Sequence, residues 1–214
     1  KCMELGAEKF GWEEKRRKYA GQTGPVRRGV GMAIFCYKTG VYPISLETAS
    51  ARMILNQDGS MQLQLGATEI GQGADTIFSQ MASETTGISF DKIYIVSSQD
   101  TDTAPFDTGA YGSRQTYVSG KAVRKCGEEF KKKLLDYASY MLDRPMEELD
   151  VDHDQIVEKK TGKDLLPVAQ LAVTSFYSLD RSQHITAEAT SHCKDNSFAS
   201  GVCFAEVEVD MPVG

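Results

Sequence analysis

Two short glycine-bearing loops constrain this chain most: Gly71-Gln72-Gly73 and Thr108-Gly109-Ala110-Tyr111-Gly112-Ser113-Arg114-Gln115. Each follows a strand-like run and leads into a helical one. A helix amino terminus presents unbonded backbone N–H groups and the positive end of the helix dipole, which favour an anion. Glycine adds left-handed conformations and close approach of a ligand to the backbone. Gln72 offers both a donor and an acceptor, which suits a neutral heterocycle or a metal-bound oxygen better than a bare phosphate. In the second loop Ser113 can cap a helix or bind phosphate, and Arg114 supplies a bidentate cation for a diphosphate. If the two preceding strands are neighbours, two helix starts converge on one elongated anionic ligand. Otherwise the loops are two unrelated capped turns with Arg114 at the surface. Asp100, Asp102 and Asp107 can bind a metal or form Asx turns, the commoner fate of such residues.

The rest of the chain supplies the frame for these loops. Helical spacing runs from Met3 to about Tyr19 and breaks at Gly21–Pro25. Arg28–Tyr37 reads as a strand buried on both faces. Ser50–Leu55 and Met61–Leu65 flank Asp58-Gly59, a hairpin signal. Ala74–Thr86 is a helix closed by Gly87, Lys92–Ser97 a strand, and 98–111 a polar loop. A long helix follows from Gly112-Ser113-Arg114 through Met141, stopped by Pro145. Strands at Leu149–Val151 and Ile156–Lys159, a helix near Leu166–Phe176, and strands at Ile185–Thr190 and Gly201–Asp210 complete the order. Strand, strand, helix, strand appears twice. The expected fold class is therefore α+β, mixed sheets covered by helices in two β-β-α-β-like units, about 1–145 with both loops and about 146–214.

Composition narrows the function classes. With 24 Lys and Arg against 30 Asp and Glu, the net charge of -6 argues against a broad nucleic-acid or anionic-membrane footprint. No apolar run reaches the roughly 20 residues of a membrane span. Five scattered cysteines lack a C-x-x-C pair, and His153, His184 and His192 lack the spacing of a helical metal pair, so a reducing, cytoplasmic setting is expected. There is no G-x-S-x-G, H-E-x-x-H or Walker lysine. Gly29-x-Gly31 and Gly71-x-Gly73 each give half a dinucleotide fingerprint, with Ile34 and Thr76 where the third glycine belongs. The start at Lys1 and the closing Met211-Pro212-Val213-Gly214 turn read as a chain cut at both ends.

The ordered set Gly71-Gln72-Gly73-Ala74-Asp75-Thr76, Ile93-Tyr94-Ile95-Val96, Asp100-Thr101-Asp102-Thr103-Ala104-Pro105 and Thr108–Tyr117 resembles the molybdenum-binding large subunit of the xanthine dehydrogenase and aldehyde oxidase family. Cys2–Lys9, Arg27–Ala33 and Gly201–Asp210 extend the resemblance over nearly the whole chain. It implies a molybdenum cofactor-binding domain of a hydroxylase. Molybdenum held by a molybdopterin, expected as its cytosine dinucleotide form, inserts water-derived oxygen into a C–H bond of an aromatic N-heterocycle or an aldehyde. Electrons leave through iron–sulfur clusters to FAD on other domains or subunits, which with the rest of the molybdenum-binding subunit are the implied partners.

Carried over by position, the implied cofactor-binding residues are Gly71, Gln72, Gly73, Ala74, Tyr111, Gly112, Ser113, Arg114 and Gln115. Gln72 faces the molybdenum or the pterin, the Gly112 backbone lies nearest the metal, and Arg114 and Gln115 face the phosphate or diphosphate. The family's active-site glutamate, arginine and Gly-Gly-Phe-Gly-type loop have no equivalent here. No residue of this chain is expected to be catalytic, and the 214 residues alone are expected to be inactive. A nucleotide-diphosphate-binding module and a purely structural or assembly domain are the alternatives.

Overall fold

A computed structural model of the chain describes residues 1–44, 47–96 and 100–214. It divides into two compact units, residues 1–38 with 197–214, and residues 39–196. The sequence division near residue 145 follows the repetition of element types and falls inside the second unit. The tip of the expected strand at Ser97 and the loop's first two residues, Ser98 and Gln99, lie outside the described residues.

In the first unit, α1 (Cys2–Phe10) and α2 (Trp12–Tyr19) replace the single helix expected from residue 3 to residue 19. Gly11, left-handed at φ 72°, separates them. Strands β1 (Val26–Thr39) and β9 (Ser197–Asp210) form a two-stranded sheet. Helix α1 packs on β9 through Phe10 and Phe204, whose ring centroids are 5.3 Å apart. Lys15 and Arg28 pair with Glu206 and Glu208 of β9 at 2.6 and 2.7 Å. Contrary to expectation, β1 is not buried on both faces: Met32, Ile34 and Phe35 are 43, 64 and 56% exposed. An apolar run signals a strand but cannot say how many layers cover it.

The second unit holds the core. Its sheet has the order β4-β3-β2-β8, from β2 (Glu47–Leu55), β3 (Met61–Leu65), β4 (Ile93–Val96) and β8 (Thr186–Cys193). The expected hairpin joins β2 to β3, with Asp58 Oδ1 accepting from the Ser60 amide at 3.0 Å. On the open face, Arg52 pairs with its cross-strand neighbour Glu188 at 2.8 Å. The other face, including Ala51, Met53, Leu55, Leu63 and Leu65, is buried with residues of α3 (Ala74–Thr86) and α4 (Gly120–Leu142). The apolar stripe Ala122, Val123, Cys126, Phe130, Leu134, Tyr137 and Ala138 repeats at helical spacing along α4, and all seven are buried. Each fully buried side chain the size of Leu or Phe contributes roughly 1.5–3 kcal/mol. Burial pushes the Cys126 thiol up to about 12. A separate antiparallel sheet, β5 (Leu149–Asp152), β6 (Gln155–Glu158) and β7 (Asp164–Pro167), precedes α5 (Val168–Tyr177). The short β7 was not expected from the sequence. The α+β reading holds, and β2-β3-α3-β4 is a β-β-α-β unit.

Candidate functional site

Strand direction decides where the two loops go. β3 and β4 are parallel neighbours, with Leu63 opposite Ile95. Their carboxyl ends therefore point the same way, and the loops leaving them emerge at one edge of the sheet, where ligands of such sheets commonly bind. β2 runs antiparallel to β3, so its first residue, Glu47, stands at that same edge.

The first loop, residues 66–73, leaves β3 and turns sharply into α3. Gly71 and Gly73 adopt φ of 96° and 84°, where side chains with a Cβ are strained. Glu69 clasps the turn: its Oε1 accepts from the Gly71 and Gly73 amides at 2.6 and 3.2 Å, and its Oε2 from the Asp75 amide at 3.1 Å. The Asp75 amide, helped by those of Gly73, Gly71 and Ala74, holds the Glu69 carboxyl below its ordinary range, against the desolvation that would raise it. The donors expected to attract an external anion are thus already met from within the chain.

The second loop crosses the end of β2 and is fixed from inside the core. Phe106 O accepts from the Ser50 amide at 3.0 Å, and Asp107 bridges to Ala49. The Arg114 side chain is fully buried. Its Nε donates to Glu47 Oε2 at 2.7 Å, its Nη1 to Asp107 Oδ1 and to Gly109 O at 2.8 Å, and its Nη2 to Thr48 O at 2.9 Å. Asp107 also accepts from the Gly109 amide at 2.9 Å and from Ser119 Oγ at 2.6 Å. Burial alone would lower the Arg114 pKa, but the bond to Glu47 and the charge of Asp107 more than offset it and raise it. The guanidinium therefore holds the loop's shape with four of its five N–H donors. It is not the surface residue of the alternative reading. Asp100 takes the Asx-turn role, accepting from the Asp102 amide at 2.9 Å.

The rest of the second loop is shaped by unusual backbone. Gly112 and Ser113 both have positive φ, 54° and 52°, and Gly112 O accepts from the Gly40 amide at 2.8 Å. A non-glycine residue in this region is uncommon and tends to mark functional sites. The helix expected from residue 112 begins instead as one wide π-type turn, Gln115–Ser119, that runs into α4. Such turns are frequent beside functional sites.

The loops meet through two carboxamides and one carbonyl. Thr68 O accepts from Gln72 Nε2 and from Gln115 Nε2, both at 2.9 Å, while Gln72 Nε2 also donates to Gln115 Oε1. Gln72 Oε1 accepts from the Ile70 amide at 2.7 Å. Above this link lies a cavity of about 340 Å³. Ile70, Ala74 and Ile77 line it from the first side, and Ala110, Tyr111, Ser113, Arg114 and Thr116 from the second, with Gln72 and Gln115 between. Of the expected residues, Gly71, Gly73 and Gly112 shape the loops without lining the cavity. Thr68, Glu69 and Glu47 went unrecognised in the sequence. Glu69 left a faint signal, an acid two residues before a glycine turn at a helix start, whereas Glu47 left none.

The arrangement defines a class: an α+β domain that presents two loops from parallel strands around one mixed polar and apolar pocket, a cradle for a small organic group. Comparison with known proteins gives the family. A model described as molybdopterin cofactor-binding domain matches residues 5–214, and the chain belongs to that family. It is 40% identical over 211 residues to the xanthine dehydrogenase molybdenum-binding subunit of Escherichia coli O157:H7, covering 98% of this chain and 28% of that protein. The chain thus spans little more than a quarter of that relative. Among solved structures, the Cu,Mo-CO dehydrogenase matches with a TM-score of 0.75 at 25% identity, over 98% of this chain and 28% of that one. Quinoline 2-oxidoreductase from Pseudomonas putida 86, at 20% identity and a TM-score of 0.78 over the same shares, supports the fold. Among the described residues, no helix is long and apolar enough to cross a membrane.

Proposed function

We propose that the pocket between the two loops takes the molybdopterin of a molybdenum hydroxylase, and that this chain forms part of that enzyme's molybdenum-binding subunit. One observation carries the reading: in a chain of the molybdopterin cofactor-binding family, parallel β3 and β4 deliver the Gln72 and Tyr111–Gln115 loops to one cavity. The cavity suits the group. Ile70, Ile77 and the Tyr111 ring offer flat apolar surface to a fused heterocycle. The carboxamides of Gln72 and Gln115 face its hydrogen-bonding edge. When bound, the pterin-held metal supplies hydroxylation of an N-heterocycle or aldehyde with oxygen derived from water.

The chain's own residues bind and orient. Gln72 uses both amide hydrogens on Thr68 and Gln115, which leaves its second Oε1 lone pair for the ligand. Gln115 keeps its second Nε2 hydrogen for the same purpose. Tyr111 donates to Thr108 Oγ1 at 3.1 Å, which sets its ring at the cavity wall. Gly112 sets the path of the loop, and Ser113 and Arg114 stand with Tyr111 at the cavity wall. The carboxylates Glu47, Glu69 and Asp107 are engaged in holding structure, and this reading gives none of the three a role in proton transfer; it assigns that step to residues outside this chain and expects the 214 residues alone to be inactive. The cytosine dinucleotide form of the cofactor, iron–sulfur and FAD partners and a cytoplasmic setting belong to this proposal. The five free cysteines support the last.

Metal and pterin analysis of the parent protein tests the reading. Gln72→Ala should lower molybdenum and pterin per protein severalfold. Full metal loading and turnover in that variant would sink the assignment, and bound nucleotide without molybdenum in the unmutated parent would favour a nucleotide-binding module.

A further inference from the structure

Three backbone N–H groups around the start of α3 converge on a side chain of the same loop. Glu69 takes those of Gly71, Gly73 and Asp75 at 2.6, 3.2 and 3.1 Å. An ionised carboxylate accepts several bonds and carries a full negative charge, so Glu69 stands where a bound phosphate stands at other helix starts. Its amide partners at 71 and 73 flank Gln72. A Cβ added at Gly71 or Gly73 would meet nothing within 4 Å, so glycine serves there for its positive φ rather than for space. That conformation is what the carboxylate holds. It also fixes the chain direction from which the Gln72 carboxamide reaches Ile70, Thr68 and Gln115.

The geometry points to Glu69 as the positioning residue of the first loop: an internal anion that fills the amino terminus of α3, so that the loop offers its ligand the Gln72 carboxamide and excludes the ligand's negatively charged part. The inference deepens the molybdopterin reading and rests on it for the identity of the ligand. It divides the labour of the pocket: the first loop recognises a neutral edge, and the anionic end is placed away from α3. Glu69 acts through Gln72 and the turn and does not touch the ligand.

The test uses the parent enzyme carrying Glu69→Ala and Glu69→Gln, with amide hydrogen exchange and pterin content as readouts. In Glu69→Ala the amides of Gly71, Gly73 and Asp75 should exchange at least about tenfold faster, and pterin per protein should fall severalfold. Formate, a small carboxylate that fits the vacated position, should restore both, whereas chloride at equal ionic strength should restore neither. Glu69→Gln fills the same space with an uncharged group that brings a donor towards the Asp75 amide. It should fold, lose pterin and ignore formate. Wild-type exchange and pterin content in Glu69→Ala, or equal rescue by chloride, would overturn the role of Glu69. If Glu69→Ala does not fold, wild-type exchange and pterin in Glu69→Gln overturn it instead. Pterin missing from the unmutated parent would overturn the molybdopterin reading, while the exchange rates still decide on Glu69.

Discussion

The two loops that frame the pocket reach similar ends by opposite physics. The first is a tight turn at the surface, held by a half-buried carboxylate on backbone amides seconded by a pair of carboxamides. The second is held from below, by a buried guanidinium clamped between Glu47 and Asp107. Removing one partner of a buried ion pair leaves an unpaired charge in a medium that solvates it poorly, whereas losing a partially exposed acceptor lets water take its place. The first loop can therefore be altered with the fold intact, and the second cannot.

The largest expected effect breaks the clamp. Arg114→Ala strands Glu47 and Asp107 and should cost about 3–5 kcal/mol, read as a lower urea midpoint and loss of soluble protein. Arg114→Lys should recover little, because one ammonium cannot reproduce the fork that spans two carboxylates and two carbonyls. A midpoint within error of the parent would show that the second loop does not depend on its buried support. Next comes Gly66→Ala, where β3 meets the incoming loop. The added Cβ would lie 2.2 Å from Pro105 O, a backbone atom that cannot step aside cheaply. About 1–3 kcal/mol of destabilisation should follow, checked by thermal melting. Gln72→Ala, on the exposed loop, should cost no more than about 1 kcal/mol while lowering pterin content. A large loss of stability there would erase the contrast between the loops.

The smallest effect is a pH dependence of the first turn. Its backbone amides depress the Glu69 pKa in the folded chain. The sign follows: the contribution is complete above the ordinary glutamate value of about 4.3 and is lost as pH falls through the lower folded value. The amide proton shifts of Gly71, Gly73 and Asp75 should titrate together with a midpoint below that value. Separate midpoints, or one at the ordinary value, would mean that the three amides do not share one carboxylate.

The same contrast separates what was legible in the sequence from what was not. Local signals read well. Asp58-Gly59 marked the β2–β3 hairpin, and Gly87 marked the end of α3 at Thr86. Both loops were visible because glycine and small residues interrupt periodic runs. Gly11 is such an interruption too, but the helical spacing on either side of it masked the break between α1 and α2. The carboxylate partners of Arg114 were not legible, because a cation at the end of a loop looks the same whether it faces a phosphate or two carboxylates. Its partner Glu47 lies 67 residues away and becomes a neighbour only once β2 pairs with β3. The strand β1 was placed correctly, yet its apolar side chains suggested cover on both faces that the described residues do not supply.

Glu47 has a consequence for engineering. The segment 107–115 looks like a portable module, short and rich in small residues, and invites transplantation between related domains. Its conformation is written partly at the start of β2, because the guanidinium it carries is neutralised there. A graft that moves the loop alone delivers a positive charge into an interior with half its counter-charge missing. A chimera that also carries the acid at position 47 transfers an intact device.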